Sequence, residues 1–295
     1  MRFYEFEGDP ALEVSARALD LSGDFRVLRR LPELHELWVA PTPAEGPAIQ
    51  LLVVDSETTG LGDTDKMIEF ALVKMALDRD GQLCDISYPI SGLEDPGAPL
   101  RPVIVTITGL DDATLAGKHF DEDVLRDQLS DVDAIVAFNA GFDARFWRAR
   151  FPWITQPWIC AQKDLDWLHG QGHAERSQTA LLAARGFFYE AHRAAPDAWA
   201  LAILLATQAR DGRTIAANLV DGARRITHRV RAAGAPFACR DDLKEAGYRW
   251  DAKAREWWID VEPKLLDDEL ARLVKMHPFT RPTHKPIDWF NRHMG

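Results

Sequence analysis

The stretch that most constrains this chain is Ile-Gln-Leu-Leu-Val-Val-Asp at 49–55, continued by Ser-Glu-Thr-Thr-Gly at 56–60. A run this short and this apolar predicts a strand buried on both faces, as in a sheet covered by helices. Successive side chains alternate across a strand, so Asp55 and Glu57 share one face. Two carboxylates at the end of a buried strand are either solvated or hold something positive.

The segments that follow predict the fold around this strand. Residues 66–81 and 83–90 read as two more strands joined by a turn at Asp78-Arg79-Asp80-Gly81. A proline-rich crossing leads to an amphipathic helix at 121–129 and a short apolar strand at 133–139. Residues 140–151 read as helix, 157–160 as a brief strand, and 163–170 and 177–187 as helices. Residues 196–210 form a strong helix whose proline sits in the first turn, where a missing N–H does no harm. Three strands, then alternating helix and strand, then helices, predict an α/β sheet domain over 49–210.

Residues 1–48 form an N-terminal extension. It has helix-like spacing from Ala11 and ends in the Pro/Gly/Ala linker 41–48. Residues 211–295 read as a small α+β module, with a helix at 241–247, strand-like runs around 251–256 and a further helix. Arg and Lys alternate there with Tyr248, Trp250, Trp257 and Trp258. That mixture suits a nucleic-acid platform or the core of a small domain, and packing is the preferred reading of the tryptophans.

The 295 residues carry a net charge of -11, which argues against a protein that coats nucleic acid. The charge is uneven: residues 207–295 hold 17 Lys+Arg against 13 Asp+Glu, so the acidity lies in the rest. No run of 18 or more apolar residues predicts a membrane span. The acidic start lacks a secretory pattern, which implies the cytoplasm. Cys84, Cys160 and Cys239 are too scattered for a disulfide framework or a zinc site.

Polar residues gather at the predicted strand and helix ends. Asn139 and Asp143 follow the strand at 133–139, and His192 and Asp197 flank the start of the last strong helix. Strand ends of α/β sheets are where such folds build sites. Four carboxylates brought together there could not all stay ionised without a cation, and hard oxygen ligands select Mg²⁺ or Mn²⁺.

With these motifs the chain resembles the DEDDh (DnaQ-like) branch of the DEDD 3′-5′ exonucleases, which contains the proofreading epsilon subunit of bacterial DNA polymerase III. The first motif is Asp55-Ser56-Glu57-Thr58-Thr59-Gly60, the second Asn139 to Asp143, and the third His192 to Asp197, followed by Ala198. Ile107 to Asp112 resembles the family's Ile-Thr-Gly loop.

The resemblance implies a ribonuclease H-like mixed sheet flanked by helices. It also implies two-metal phosphodiester hydrolysis, with Mg²⁺ or Mn²⁺ as cofactor. By that analogy Asp55, Glu57 and Asp197 hold one ion, and Asp55 bridges to a second held by Asp143. His192 is the general base. Thr58, Thr59 and Gly60 seat the 3′ terminus, with Leu61 as a wedge between bases and Asn139 and Phe142 beside the substrate. The implied partner is a single-stranded nucleic acid 3′ end, DNA favoured over RNA, in repair or proofreading beside a polymerase or repair complex. Exoribonuclease activity, and a non-catalytic binding role on the same fold, are the alternatives.

Overall fold

The computed structural model describes Tyr4 and residues 8–293. The chain forms two compact units, Met1–Ala223 with His293–Gly295, and Arg224–Arg292. Among the described residues, no helix is long and apolar enough to cross a membrane.

The first unit opens with α1 (Pro10–Ser22). The Asp9 side chain accepts from the Ala11 N–H at its start, and Gly23 ends it at φ 81. Then come β1 (Arg29–Arg30), β2 (Ile49–Thr58), β3 (Met67–Leu77), β4 (Leu83–Ile86) and β5 (Ile90–Leu93). Three short helices follow: α2 (Pro102–Thr108), α3 (Asp112–Leu115) and α4 (Glu122–Leu129). β6 (Ala134–Ala137), α5 (Ala140–Arg150), β7 (Trp158–Cys160), α6 (Gln178–Ala184), β8 (Phe187–Phe188), α7 (Ala194–Ala206) and α8 (Ile215–Arg224) complete it.

The main sheet runs β4-β3-β2-β6-β7, with β5 also paired to β3. β2 is antiparallel to β3 and parallel to β6, and β6 is parallel to β7. The sheet is therefore mixed, with helices on its faces. The middle of β2, Leu51 to Val54, is unbroken apolar sequence because both of its faces are covered, and all four residues are fully buried. Leu52 and Val54 pack with Ala140, Ala144 and Trp147 of α5, while α7 lies against β2 and β3. Strand parity thus assigns even positions of β2 to α5 and odd positions to the other face.

Two expectations change. Residues 163–170 form turns, not a helix. Asp164 accepts the Cys160 N–H and Asp166 the His169 N–H, and such local side-chain bonds compete with the helical ladder. The divide expected at residue 210 falls later, after Ala223. Helix α8 belongs with the first unit because its apolar face (Ile215, Ala216, Leu219, Val220) is buried. The Thr214 hydroxyl also donates to the Gly81 carbonyl at 2.7 Å. The N-terminal extension is likewise built into the first unit. β1 pairs in parallel with β8, and the Trp199 indole donates to the Pro32 carbonyl at 3.0 Å.

The second unit contains β9 (Thr227–Arg231), α9 (Arg240–Glu245), β10 (Arg249–Asp251), β11 (Glu256–Val261), α10 (Leu266–Met276) and β12 (Thr283–Ile287). Its antiparallel sheet runs β10-β11-β9-β12. β9 and β12 escape the sequence reading because each is mostly polar, and β12 contains a proline, as an edge strand tolerates. Val230, Leu243, Tyr248 and Leu273 form the core, with Trp257 and Ile259 packed against it. Trp258 instead lies beside the guanidinium groups of Arg229 and Arg249, 4.2 and 5.0 Å from its ring centre. Arg229 is paired with Asp260, and Arg231 with Asp251 and Glu256. The basic character of this sheet is thus largely neutralised within it. The three cysteines are free and buried.

Candidate active site

Asp55 and Glu57 stand on the odd face of β2, at the end where its pairing with β3 becomes irregular after Glu57. Helix α7 brings Asp197 to the same face, and ligand oxygens of Asp55, Glu57 and Asp197 lie within 4.8 Å of one another. Asp143 arrives from the even face. It sits in the first turn of α5, buried, hydrogen-bonded to the Ser56 hydroxyl, which also accepts the Trp147 indole N–H at 2.7 Å. One cavity of about 230 Å³ is lined by all four carboxylates together with His192, Asn139 and Phe142.

Asp197 is held on every side. Its Oδ2 accepts the backbone N–H groups of His192 and Arg193, at 2.7 and 3.1 Å. Its Oδ1 accepts the Tyr189 hydroxyl at 2.8 Å, and the Gln178 amide donates to that hydroxyl at 3.0 Å. His192 itself is exposed and adopts φ 75, a left-handed conformation that a side-chain-bearing residue rarely takes. Sequence reasoning did not find Tyr189, Gln178 or Ser56; the first two belong to no spaced motif, and Ser56 occupies the unspecified position between Asp55 and Glu57.

The electrostatics follow from crowding. Burial, then Asp143, Asp197 and Glu57, hold the Asp55 carboxyl well above the usual range. Burial pushes Asp143 up to about 7, opposed by the Ser56 hydroxyl. Burial and then Asp197 and Glu69 push Glu57 up to about 7, opposed by Arg193. Burial, then the charge of Asp197, also raises Tyr189. A cluster that resists ionisation at neutral pH, built only of oxygen donors, fits a hard divalent cation.

The crowding has a measurable consequence. Carboxylates with raised folded-state pKa favour folding below their ordinary range, and that contribution disappears as pH rises through about 7. Without divalent cations the protein is expected to melt at falling temperature between about pH 5 and pH 8. Mg²⁺ or Mn²⁺ is expected to restore more stability at the upper pH than at the lower. Thermal melts with and without chelator check this; a cation effect independent of pH would contradict it.

The segment after Glu57 is internally braced. The Thr58 hydroxyl donates to the Gly60 carbonyl at 2.7 Å, and the Thr59 hydroxyl to Asp65 at 2.8 Å. The Arg101 guanidinium donates to the Thr59 carbonyl at 2.7 Å. A Cβ on Gly60 would sit 1.8 Å from that guanidinium, so the glycine makes room for Arg101. The neighbouring Arg145 holds the Leu61 carbonyl at 2.9 Å, leaving the Leu61 side chain exposed. Phe142 serves two roles: its ring packs 5.0 Å from Phe146 and also lines the cavity. Asn139 precedes α5 and accepts from the Lys163 ammonium at 3.1 Å.

The RNase T family model, described as exonuclease, matches residues 52–205. DNA polymerase III PolC-type of Lacticaseibacillus paracasei is 34% identical over 110 residues, 36% of this chain and 7% of that protein. Exodeoxyribonuclease 10 of Escherichia coli K12 is 32% identical over 113 residues, 38% of this chain and 46% of that protein. This chain therefore spans less than half the length of these curated relatives. Among solved structures, exonuclease X in complex with 5′ overhanging duplex DNA is 28% identical, with a TM-score of 0.41 over 53% of this chain and 89% of that one. Exonuclease I of E. coli in complex with a dA16 oligonucleotide is 17% identical, with a TM-score of 0.46 over 63% of this chain and 48% of that one. With more than half of its length matched, and with the three acidic motifs converging on one cavity, the chain belongs to the RNase T (DnaQ-like) exonuclease family.

Proposed function

We propose that this protein is a cation-dependent 3′-5′ exonuclease that removes nucleotides from the 3′ ends of single-stranded DNA. The observation that carries the proposal is the meeting of Asp55, Glu57 and Asp197 within 4.8 Å, in a cavity also lined by Asp143 and His192. The names of the relatives, a DNA polymerase and an exodeoxyribonuclease, support DNA as the substrate and a repair or proofreading setting.

Asp55, Glu57 and Asp197 would hold one divalent cation, Mg²⁺ or Mn²⁺, and Asp143 with Asp55 a second. When bound, such ions neutralise phosphate charge and make water more acidic. The chain's own groups do the rest. The His192 imidazole, exposed at the cavity, takes the proton from the attacking water. The new P–O bond forms as the bond from phosphorus to the 3′ oxygen breaks, and that oxygen is protonated from solvent. The Thr58 and Thr59 hydroxyls are already engaged within their loop, so they act by fixing its backbone. Leu61 and Phe142 offer the apolar surfaces for the terminal bases.

The test is hydrolysis of DNA and RNA oligomers, labelled so that 3′-end loss is read, in Mg²⁺ or Mn²⁺ and in chelator. Stepwise loss from the 3′ end of single-stranded DNA, abolished by chelator, is expected. Preference for the RNA oligomer would replace DNA with RNA as the substrate. Tight binding without hydrolysis in either ion would overturn the catalytic reading.

A further inference from the structure

Beside the site lies a fifth carboxylate that the chemistry above does not use. Glu69 on β3 is 2% exposed and stands directly opposite Glu57 across the β2–β3 pair. Like charges facing each other across strands are destabilising, and a buried carboxylate persists only when paired. Its partner is Arg193, the residue after His192. The Arg193 guanidinium grips Glu69 as a fork, Nη2 to Oε1 at 2.8 Å and Nε to Oε2 at 3.1 Å. The Ala194 N–H, at the first residue of α7, adds a third bond to Oε2 at 3.1 Å. Both Glu69 oxygens are therefore hydrogen-bonded, and the residue braces the start of α7 against the sheet.

We infer that Glu69, acting through Arg193, is a positioning residue that fixes the backbone carrying His192. This rests on the reading of His192 as the general base. His192 holds a left-handed conformation at φ 75, which persists only where the surroundings enforce it. Two carboxylates enforce it. Asp197 holds the N–H groups of His192 and Arg193, and Glu69 ties Arg193 and Ala194 to the sheet. The guanidinium fork matches the carboxylate in two bonds at once, so it sets direction as well as distance, which a lysine could not. Releasing it lets the imidazole swing, while Asp197 keeps the Tyr189 hydroxyl on its other oxygen.

The primary variant is Arg193→Lys, at a side chain 46% exposed, which keeps a positive charge beside Glu69. Glu69→Gln is its counterpart on the buried side. Each is expected to lower kcat about 10- to 100-fold, the usual effect of a displaced catalytic group or a lost supporting bond, with KM within about 2- to 3-fold. For Arg193→Lys, which keeps the positive charge, Mn²⁺ affinity measured by calorimetry is expected to stay within about 3-fold of the parent. The deciding measurement is the double variant with His192→Ala. If the brace works only through His192, Arg193→Lys costs nothing further in that background. An unchanged kcat in Arg193→Lys, or an equal loss with and without His192, would overturn the inference. Full activity of His192→Ala alone would instead overturn the base assignment beneath it.

Discussion

Replacing Asp55 by Asn is expected to lower exonuclease turnover by at least about 10³-fold, the scale seen when a central group stabilising transition-state charge is lost. The same change is expected to raise the melting temperature of the cation-free protein. Both effects come from one feature. Asp55 is buried among Asp143, Asp197 and Glu57, and each neighbour disfavours its charge. The neutral amide keeps the shape and removes the repulsion. Each kcal/mol relieved raises the melting point by about 2–4 °C in a unit of this size. Divalent cations should then stabilise the variant less than the parent. Melting curves and a 3′-end release assay on one preparation check both halves. A variant that is inactive and also less stable would mean that Asp55 accepts structural bonds that outweigh the crowding.

His192→Ala is expected to lower kcat by about 10²- to 10⁴-fold, the range for loss of a general base, while Mn²⁺ still binds. The expectation follows from how the two functions divide along the chain. The His192 backbone N–H supports Asp197, and alanine retains that N–H. The imidazole is exposed, so its removal leaves the carboxylate cluster standing. Calorimetric Mn²⁺ binding together with single-turnover hydrolysis separates the two. Equal turnover in the variant, or loss of Mn²⁺ binding, would remove His192 from the role of base.

Much of the site is legible in the sequence because strand and helix geometry converts spacing into position. Alternation alone places Asp55 and Glu57 together, and the apolar run before them places both at a sheet end. What spacing cannot show is which face a helix will deliver its residue to. Asp143 reaches the cavity from the Ser56 side of the sheet, hydrogen-bonded to a serine that looked like filler between two acids. Tyr189 and Gln178 support Asp197 through side chains that belong to no periodic pattern. Glu69 did leave a signal: it is the one charged residue in Met67–Val73, a run otherwise wholly apolar. A buried charge demands a partner, but the partner lies 124 positions away. In the fold, the 163–170 segment misleads because its aspartates bond their own backbone. The strands of the second unit are hard to read because one polar face of each dilutes the alternation.

Asp197 differs from the other acids in one respect that reaches beyond catalysis. It organises the entry into α7 by accepting two backbone N–H groups and a tyrosine hydroxyl, whereas Asp55 and Glu57 chiefly crowd their neighbours. A descendant released from hydrolysis would therefore gain stability by shedding Asp55 or Glu57 and lose it by shedding Asp197. Decay of the three acids would be ordered, and the strand would fall silent before the helix. In any copy of this fold, an intact Asp197 testifies to architecture as well as chemistry, whereas intact Asp55 and Glu57 testify to chemistry.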